Sequence, residues 1–394
     1  MTRRALLICG LGATAGAIGL AARARSRWSD PLSAGDPKLA VGATAAPDSD
    51  VGAGAPLTTL WEQVLLGDPP TSLGISRHTV SFQDSMRSVV CLRAATGVEA
   101  YRLDLSDTGG FSSLLAQGGF VYVLHDFDGI SALNEDNFLD PDRGGIMAKA
   151  LDIPLDVIFG GAGVVDDLLV VSTLDPPYGA GIYGDLDLAT VPQDVRAYDR
   201  LTGEVAWESG PVGNGLLTHD QGVFSIDDAG TLRAFEAATG DPRWSGSLAG
   251  RGAVVAAGER QPIVALAGDE VVAFNPLDGS EIWRKEMPES VSHVADDGVV
   301  YVASERRVWA ASAETGEKVW DQAFDSTSAV LLDGGVLYLL RTREIVGVDP
   351  NSGAPLWTLE LTDDLFVANA AFGTLATVTF GAPPGVVAYG QRPG

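Results

Sequence analysis

The chain has 394 residues, 46% of them hydrophobic, with 48 Gly, 2 Cys, 4 His and a formal net charge of -26. That apolar fraction can fill a sizeable core, and the acidity excludes the basic face that a nucleic-acid backbone needs. Two cysteines exclude a disulfide-built scaffold and a four-cysteine metal cluster.

Residues 1–27 hold five Arg and no acid, so the remainder has 21 basic against 52 acidic residues, a formal -31. Thr2-Arg3-Arg4-Ala5-Leu6-Leu7 resembles a twin-arginine export motif, and an uncharged stretch over 5–22 follows, bounded by Arg23, Arg25 and Arg27. This is an export device. Two outcomes stay open: a signal cleaved near Ala22-Arg23-Ala24, or a retained anchor, since 18 uncharged residues just span a bilayer. Gly10-Leu11-Gly12-Ala13-Thr14-Ala15-Gly16 approaches a dinucleotide fingerprint, but no βαβ pattern follows and arginines occupy the region where an acid is required. Residues 28–56, rich in Ala, Gly, Pro, Ser and Asp without periodicity, read as a flexible linker. The expected location is extracytoplasmic, through the twin-arginine route, with residues 5–22 as membrane tether if the leader is retained.

From residue 57 onward a repeat takes over. Gly203-x-x-x-Trp207, Gly240-x-x-x-Trp244, Gly279-x-x-x-Trp283, Gly316-x-x-x-Trp320 and Gly353-x-x-x-Trp357 share one spacing, with steps of 37, 39, 37 and 37 residues. Each unit reads apolar-x-Ala-x-Asp, a turn ending in Thr-Gly, then x-x-x-Trp. The alternation before the turn has period two and predicts a strand. The Gly supplies the positive φ of a tight hairpin, and the Asp-like residue can accept from turn amides. The next strand delivers Trp, a large apolar body for packing between sheets.

The small residue recurs as Cys91, Ala132, Ala197, Ala234, Ala273, Ala310, Gly347 and Ala388, which makes eight units. Cys91 is thereby explained as a small buried residue. The first unit has Gly97 and then Tyr101 in place of Trp; the second lacks its Thr-Gly. The last reaches its turn at Val386-Val387-Ala388-Tyr389-Gly390 without writing a Trp strand. That strand stands at the other end, where Leu60-Trp61-Glu62-Gln63-Val64 resembles Leu356-Trp357-Thr358-Leu359-Glu360. Pairing it into the last unit would close a ring and remove exposed strand edges. The predicted fold is therefore all-β. It is an eight-bladed β-propeller of four-stranded antiparallel blades over 57–394, the N-terminal strand completing the last blade. The blades fall near 74–111, 112–153, 154–213, 214–250, 251–288, 289–326, 327–364, and 365–394 with 57–67.

Ala-x-Asp-x-x-Thr-Gly-x-x-x-Trp resembles the repeat of the pyrroloquinoline-quinone-like (BamB-like) β-propeller family. The resemblance covers roughly 57–394. That family includes quinoprotein dehydrogenases, an outer-membrane assembly lipoprotein and propellers attached to extracytoplasmic sides of kinases, so the repeat implies the fold and leaves the activity open. The dehydrogenases resemble this chain in their blades but carry an adjacent cysteine pair, a calcium cage and a catalytic Asp. Here Cys91 is the sole cysteine beyond the leader, and eight repeats use nearly all of the length.

His78, His125, His219 and His293 form no His-x-x-x-His pair or HExxH, and no Gly-x-Ser-x-Gly elbow is present. No catalytic, cofactor-binding or metal residue is nominated, and no cofactor is expected. Two irregular segments break the period. Asn134 to Met147 contains Glu135, Asp136, Asp140 and Asp142; Asp175 to Gln193 contains Tyr178, Tyr183, Asp185 and Asp187. They belong to different loop classes and should emerge on opposite faces. The second combines Tyr and Asp with Gly, which suits protein contact; a solvated acidic loop is the plainer reading. The expected function is an exported, non-enzymatic, monomeric propeller that binds an unknown protein or envelope ligand. The alternatives are a minimal quinone-dependent oxidoreductase and a ligand-sensing propeller.

Overall fold

The computed structural model describes residues 57–390 apart from 66–69, 71, 85–87, 105–111, 126–128, 140–148, 154–157, 175–192, 211–214, 228, 249–251, 257, 259–260, 268, 288–289, 305, 326 and 381–383. Period-two alternation and Gly-bearing turns produce strands nearly throughout. They assemble into eight four-stranded antiparallel sheets. The first blade runs Leu73–Ile75, Thr79–Gln83, Ser88–Arg93 and Glu99–Asp104. The eighth runs Leu365–Ala371, Thr374–Thr379 and Gly385–Gly390, and Thr58–Val64 supplies its fourth strand. That strand pairs antiparallel with Gly385–Gly390 and sets Trp61 opposite Ala388.

The first strand of every blade touches the first strand of the next, and Leu73–Ile75 touches Leu365–Ala371, so the ring is closed. Apolar residues of adjoining blades form the core as a series of clusters between sheets.

Backbone bonds sort the loops onto two rims. Turns after the third strand bond turns after the first: Ala94 N–H donates to His78, Glu135 to Gly119, Arg200 to Asp167 and Ala313 to Gly298. Connections leaving the fourth strand bond loops after the second: Leu248 to Gly230, Met287 to Asp269, Phe324 to Arg306 and Leu361 to Arg343. The strand ending at Asn134 therefore finishes at the first rim and the strand ending at Leu174 at the second.

One element departs from the hairpin pattern. In the second blade the turn is replaced by a short α-helix, α1 (Glu135–Leu139), where the sequence showed no helical period. Asn134 Oδ1 accepts from the Asp136 amide at 2.9 Å, as a helix-capping side chain does.

Candidate functional site

Each repeat builds one half of a lock. Hairpin register sets the small residue directly across from the large one: Ala197 opposite Trp207, Ala234 opposite Trp244, Ala273 opposite Trp283, Ala310 opposite Trp320 and Gly347 opposite Trp357. In several blades the small residue also lets rings on the second and fourth strands meet across it. Phe224 and Trp244 lie 5.8 Å apart between centroids, Tyr301 and Trp320 6.0 Å, and Tyr338 and Trp357 5.8 Å.

The indole then reaches into the following blade. Its Nε1–H donates to a turn carbonyl three residues past that blade's small position: Trp61 to Ala94 at 2.7 Å, Trp207 to Ala237 at 2.8 Å, Trp244 to Pro276 at 2.9 Å, Trp283 to Ala313 at 2.7 Å and Trp320 to Pro350 at 2.7 Å. Trp357 has no such partner among the described residues; the matching position in the eighth blade is Gln391, which lies outside them. The turn glycines complete the lock. Gly97, Gly279, Gly316 and Gly353 have φ near +70°, and a Cβ on any of them would come within 2.5–2.8 Å of the preceding blade's indole. Glycine is thus required twice, for the turn and for the ring lying on it. Gly240 stands in the same relation to Trp207. Turn acids accept as their chemistry suggests: Asp199 Oδ1 takes the amides of Leu201 and Thr202, and this holds its carboxyl below the usual range.

Two junctions lack the indole. The second blade places Leu151 opposite Ala132, and the first places Tyr101 opposite Cys91. At those junctions the residue three past the next small position is charged. Glu135, 3% exposed, reaches back to the first blade's opening turn and accepts from the hydroxyls of Ser76 and Thr79, the latter at 2.6 Å. Arg200, also buried, reaches back to the second blade, where Nη1 donates to Gly118 O at 3.2 Å and the guanidinium sits 5.8 Å from the Phe120 ring centroid; within its own blade Nη2 lies 3.4 Å from Asp167. The sequence reading missed both. The signal was available, as two charges in a slot that elsewhere holds Ala, Pro or Gln.

Cys91, His219 and His293 are buried inside the ring. Cys91 is fully buried and receives the Ser81 hydroxyl at 3.3 Å; burial pushes its thiol up to about 12, which disfavours the thiolate. His219 and His293 lie on the innermost strands Gly215–His219 and Ser290–Asp296. His219 Nε2 meets the Gly258 carbonyl of the next blade at 3.0 Å, and burial lowers His293 to about 4, leaving it neutral. Other inner-strand polar groups clip adjacent blades together. Gln117 Oε1 accepts from Val164 N, Ser292 Oγ from Val330 N, Asp333 Oδ2 from Gly373 N, and Asn369 Nδ2 donates to Leu73 O.

A quinone–calcium site needs carboxylate and amide oxygens converging on one ion. Gln117, His219, Ser292, Asp333 and Asn369 are each engaged across a blade junction, and no group of three or more His, Cys, Asp or Glu suited to a metal occurs among the described residues. Among the described residues the side chains do not fit that group. Tyr178, Tyr183, Asp185 and Asp187 lie outside the described residues, as does the 5–22 stretch. Among the described residues no helix is long and apolar enough to cross a membrane.

Comparison with known proteins agrees with this architecture. The family model described as outer membrane protein assembly factor BamB matches residues 192–290 and 267–388, together half of the chain. No curated protein matches. Among solved structures, BamB from Moraxella catarrhalis is 15% identical with a TM-score of 0.59, covering 85% of this chain and 99% of its own. Quinohemoprotein alcohol dehydrogenase ADHIIG from Pseudomonas putida HK5 is 12% identical with a TM-score of 0.59, covering 85% and 76%. Sqt1 from Saccharomyces cerevisiae is 9% identical with a TM-score of 0.63, covering 86% and 100%. Such identities show a shared fold. The repeat, its eight closed blades and the family match together place the chain in the pyrroloquinoline-quinone-like, BamB-like family of β-propellers.

Proposed function

We propose that this chain is an exported propeller that works by holding a protein partner on its rims, tethered or released by its N-terminal leader. One observation carries the reading: the inner-strand side chains of Gln117, Ser292, Asp333 and Asn369 are engaged in joining blades, and the Cys91 thiol is enclosed within the first blade, which leaves the rims as the surface for a partner. The match to an assembly-factor family supports a binding role. Export rests on Arg3-Arg4 and the uncharged stretch behind them, and the 28–56 linker would give the ring reach. The segment from Asp175 to Gln193, with Tyr178, Tyr183, Asp185 and Asp187, is proposed as a partner contact on the second rim.

The test is cross-linking of the full chain in its native envelope, followed by capture. A stoichiometric partner is expected, with recovery falling when 175–193 is removed; unchanged recovery would discard the loop. The fold shared with quinohemoprotein alcohol dehydrogenases motivates a second measurement. Titration with pyrroloquinoline quinone and calcium should give no saturable binding. Saturation accompanied by dye reduction with an alcohol or sugar would overturn the scaffold reading.

A further inference from the structure

We propose that the contact between the first and second blades is a carboxyl latch, in which the proton on Glu135 sets how tightly the two blades are joined. Glu135 opens α1 in the second blade, yet its side chain ends in the first, among groups 56 and 59 residues earlier. The receiving turn is built for it. Ser76 Oγ already accepts the amides of His78 and Thr79, at 3.0 and 2.9 Å, so its own hydrogen is free to donate. It gives that hydrogen to Glu135 Oε1, and Thr79 Oγ1 donates to the same atom at 2.6 Å. Oε1 is committed to the two hydroxyls, so Oε2 takes the proton.

Ser76, Thr79 and Glu135 are 6%, 0% and 3% exposed, and a carboxylate so enclosed loses its water. Burial accordingly raises the Glu135 carboxyl above its usual value, against the opposing pull of the two hydroxyls. The charged and titratable groups facing it are few. His78 on the same turn favours ionisation, neighbouring Asp136 opposes it, and Cys91 beneath the turn stays protonated. Arg93 spends its Nη2 on the Leu139 carbonyl at the far end of α1.

A carboxyl whose folded pKa is raised binds its proton more tightly in the joined state than in the parted one. The latch is therefore at full strength below the ordinary value of 4.5 and weakens as pH rises through the raised one.

Amide hydrogen exchange, corrected for intrinsic rates, reads this in the full chain between pH 4.5 and 8. The amides of His78 and Thr79 report the latch. The amide of Val164, held by the neutral Gln117 side chain across the next junction, is the internal standard. Protection at His78 and Thr79 is expected to fall relative to Val164 with rising pH, by at most about tenfold per unit, the limit for one proton. In Glu135→Gln, which keeps an Oε1 acceptor and cannot ionise, the ratio is expected to stay level. A level ratio in the wild type overturns the proposal, and so does an unchanged slope in Glu135→Gln. The wild-type measurement decides the matter alone if that variant does not fold.

Discussion

The blade junctions fall into two kinds. From the third blade to the seventh, and again from the eighth to the first, the joint is an indole lying on a turn glycine and donating to a turn carbonyl. From the first blade to the third the same position holds Glu135 and then Arg200, each reaching back into the preceding blade. The repeat thus specifies a meeting place, and the chemistry used there can change. An indole joint depends on apolar area and one neutral bond, so it responds little to pH or salt. The charged joints depend on desolvated groups, whose strength follows their partners and, for Glu135, their proton.

The largest break in this comparison comes from removing the N-terminal segment through Val64. The Gly385–Gly390 edge would be left unpaired and the Ala388 position would lose Trp61. Loss of a single cooperative unfolding transition is expected, with association through the bare edge visible by size-exclusion chromatography. Within an intact ring, Trp283→Ala should cost about 3–5 kcal/mol, because a large buried ring is lost and the Ala313 carbonyl loses its donor. Arg200→Ala should cost less, about 1.5–3 kcal/mol from its charged hydrogen bonds. Denaturant unfolding measures both, and a reversal of that order would remove the distinction between the two kinds of joint.

Acid sharpens the contrast. His293 is fully enclosed and its pKa is lowered by burial from 6.5 to about 4, so the unfolded chain takes up a proton that the folded one refuses. Its contribution is full above pH 6.5 and is lost as pH falls towards about 4. That sign is opposite to the one at Glu135. In His293→Leu, pH-dependent melting should lose this part of the acid decline. The smallest effect separates two glycines of similar φ. Gly279→Ala would press a methyl onto Trp244 at 2.5 Å, whereas Gly119→Ala meets nothing within 4 Å and bears only the left-handed backbone cost of about 1 kcal/mol. Thermal melts should show the first as clearly the more damaging.

The fold was readable because its main joint repeats. Trp61 at one end and the unpaired turn at Ala388 at the other pointed to closure, and the pairing of Thr58–Val64 with Gly385–Gly390 is that closure. The pairing of small and large residues across each hairpin was likewise implicit in their spacing. What could not be read was anything that occurs once. Glu135 looked like one more acid in an irregular segment, since nothing in a linear chain marks Ser76 and Thr79 as its partners. The second role of the turn glycines was also hidden. A positive φ is a local demand that a motif reveals, whereas the indole above it comes from another blade. Partner chemistry was the least legible of all, because rim loops are free of the packing constraints that give blades their period.

Closure by the N-terminal strand has a mechanical consequence. Thr58–Val64 starts beside Gly390 on the rim of the hairpin turns and runs towards the opposite rim, where Leu65 donates to Pro384. A pull on the N-terminal segment, directed away from that rim, would act along the length of the strand. Its backbone bonds to Gly385–Gly390 would then bear load together, in shear, instead of opening one after another. The strand that completes the ring is also the one a tether would pull, and it is oriented to resist.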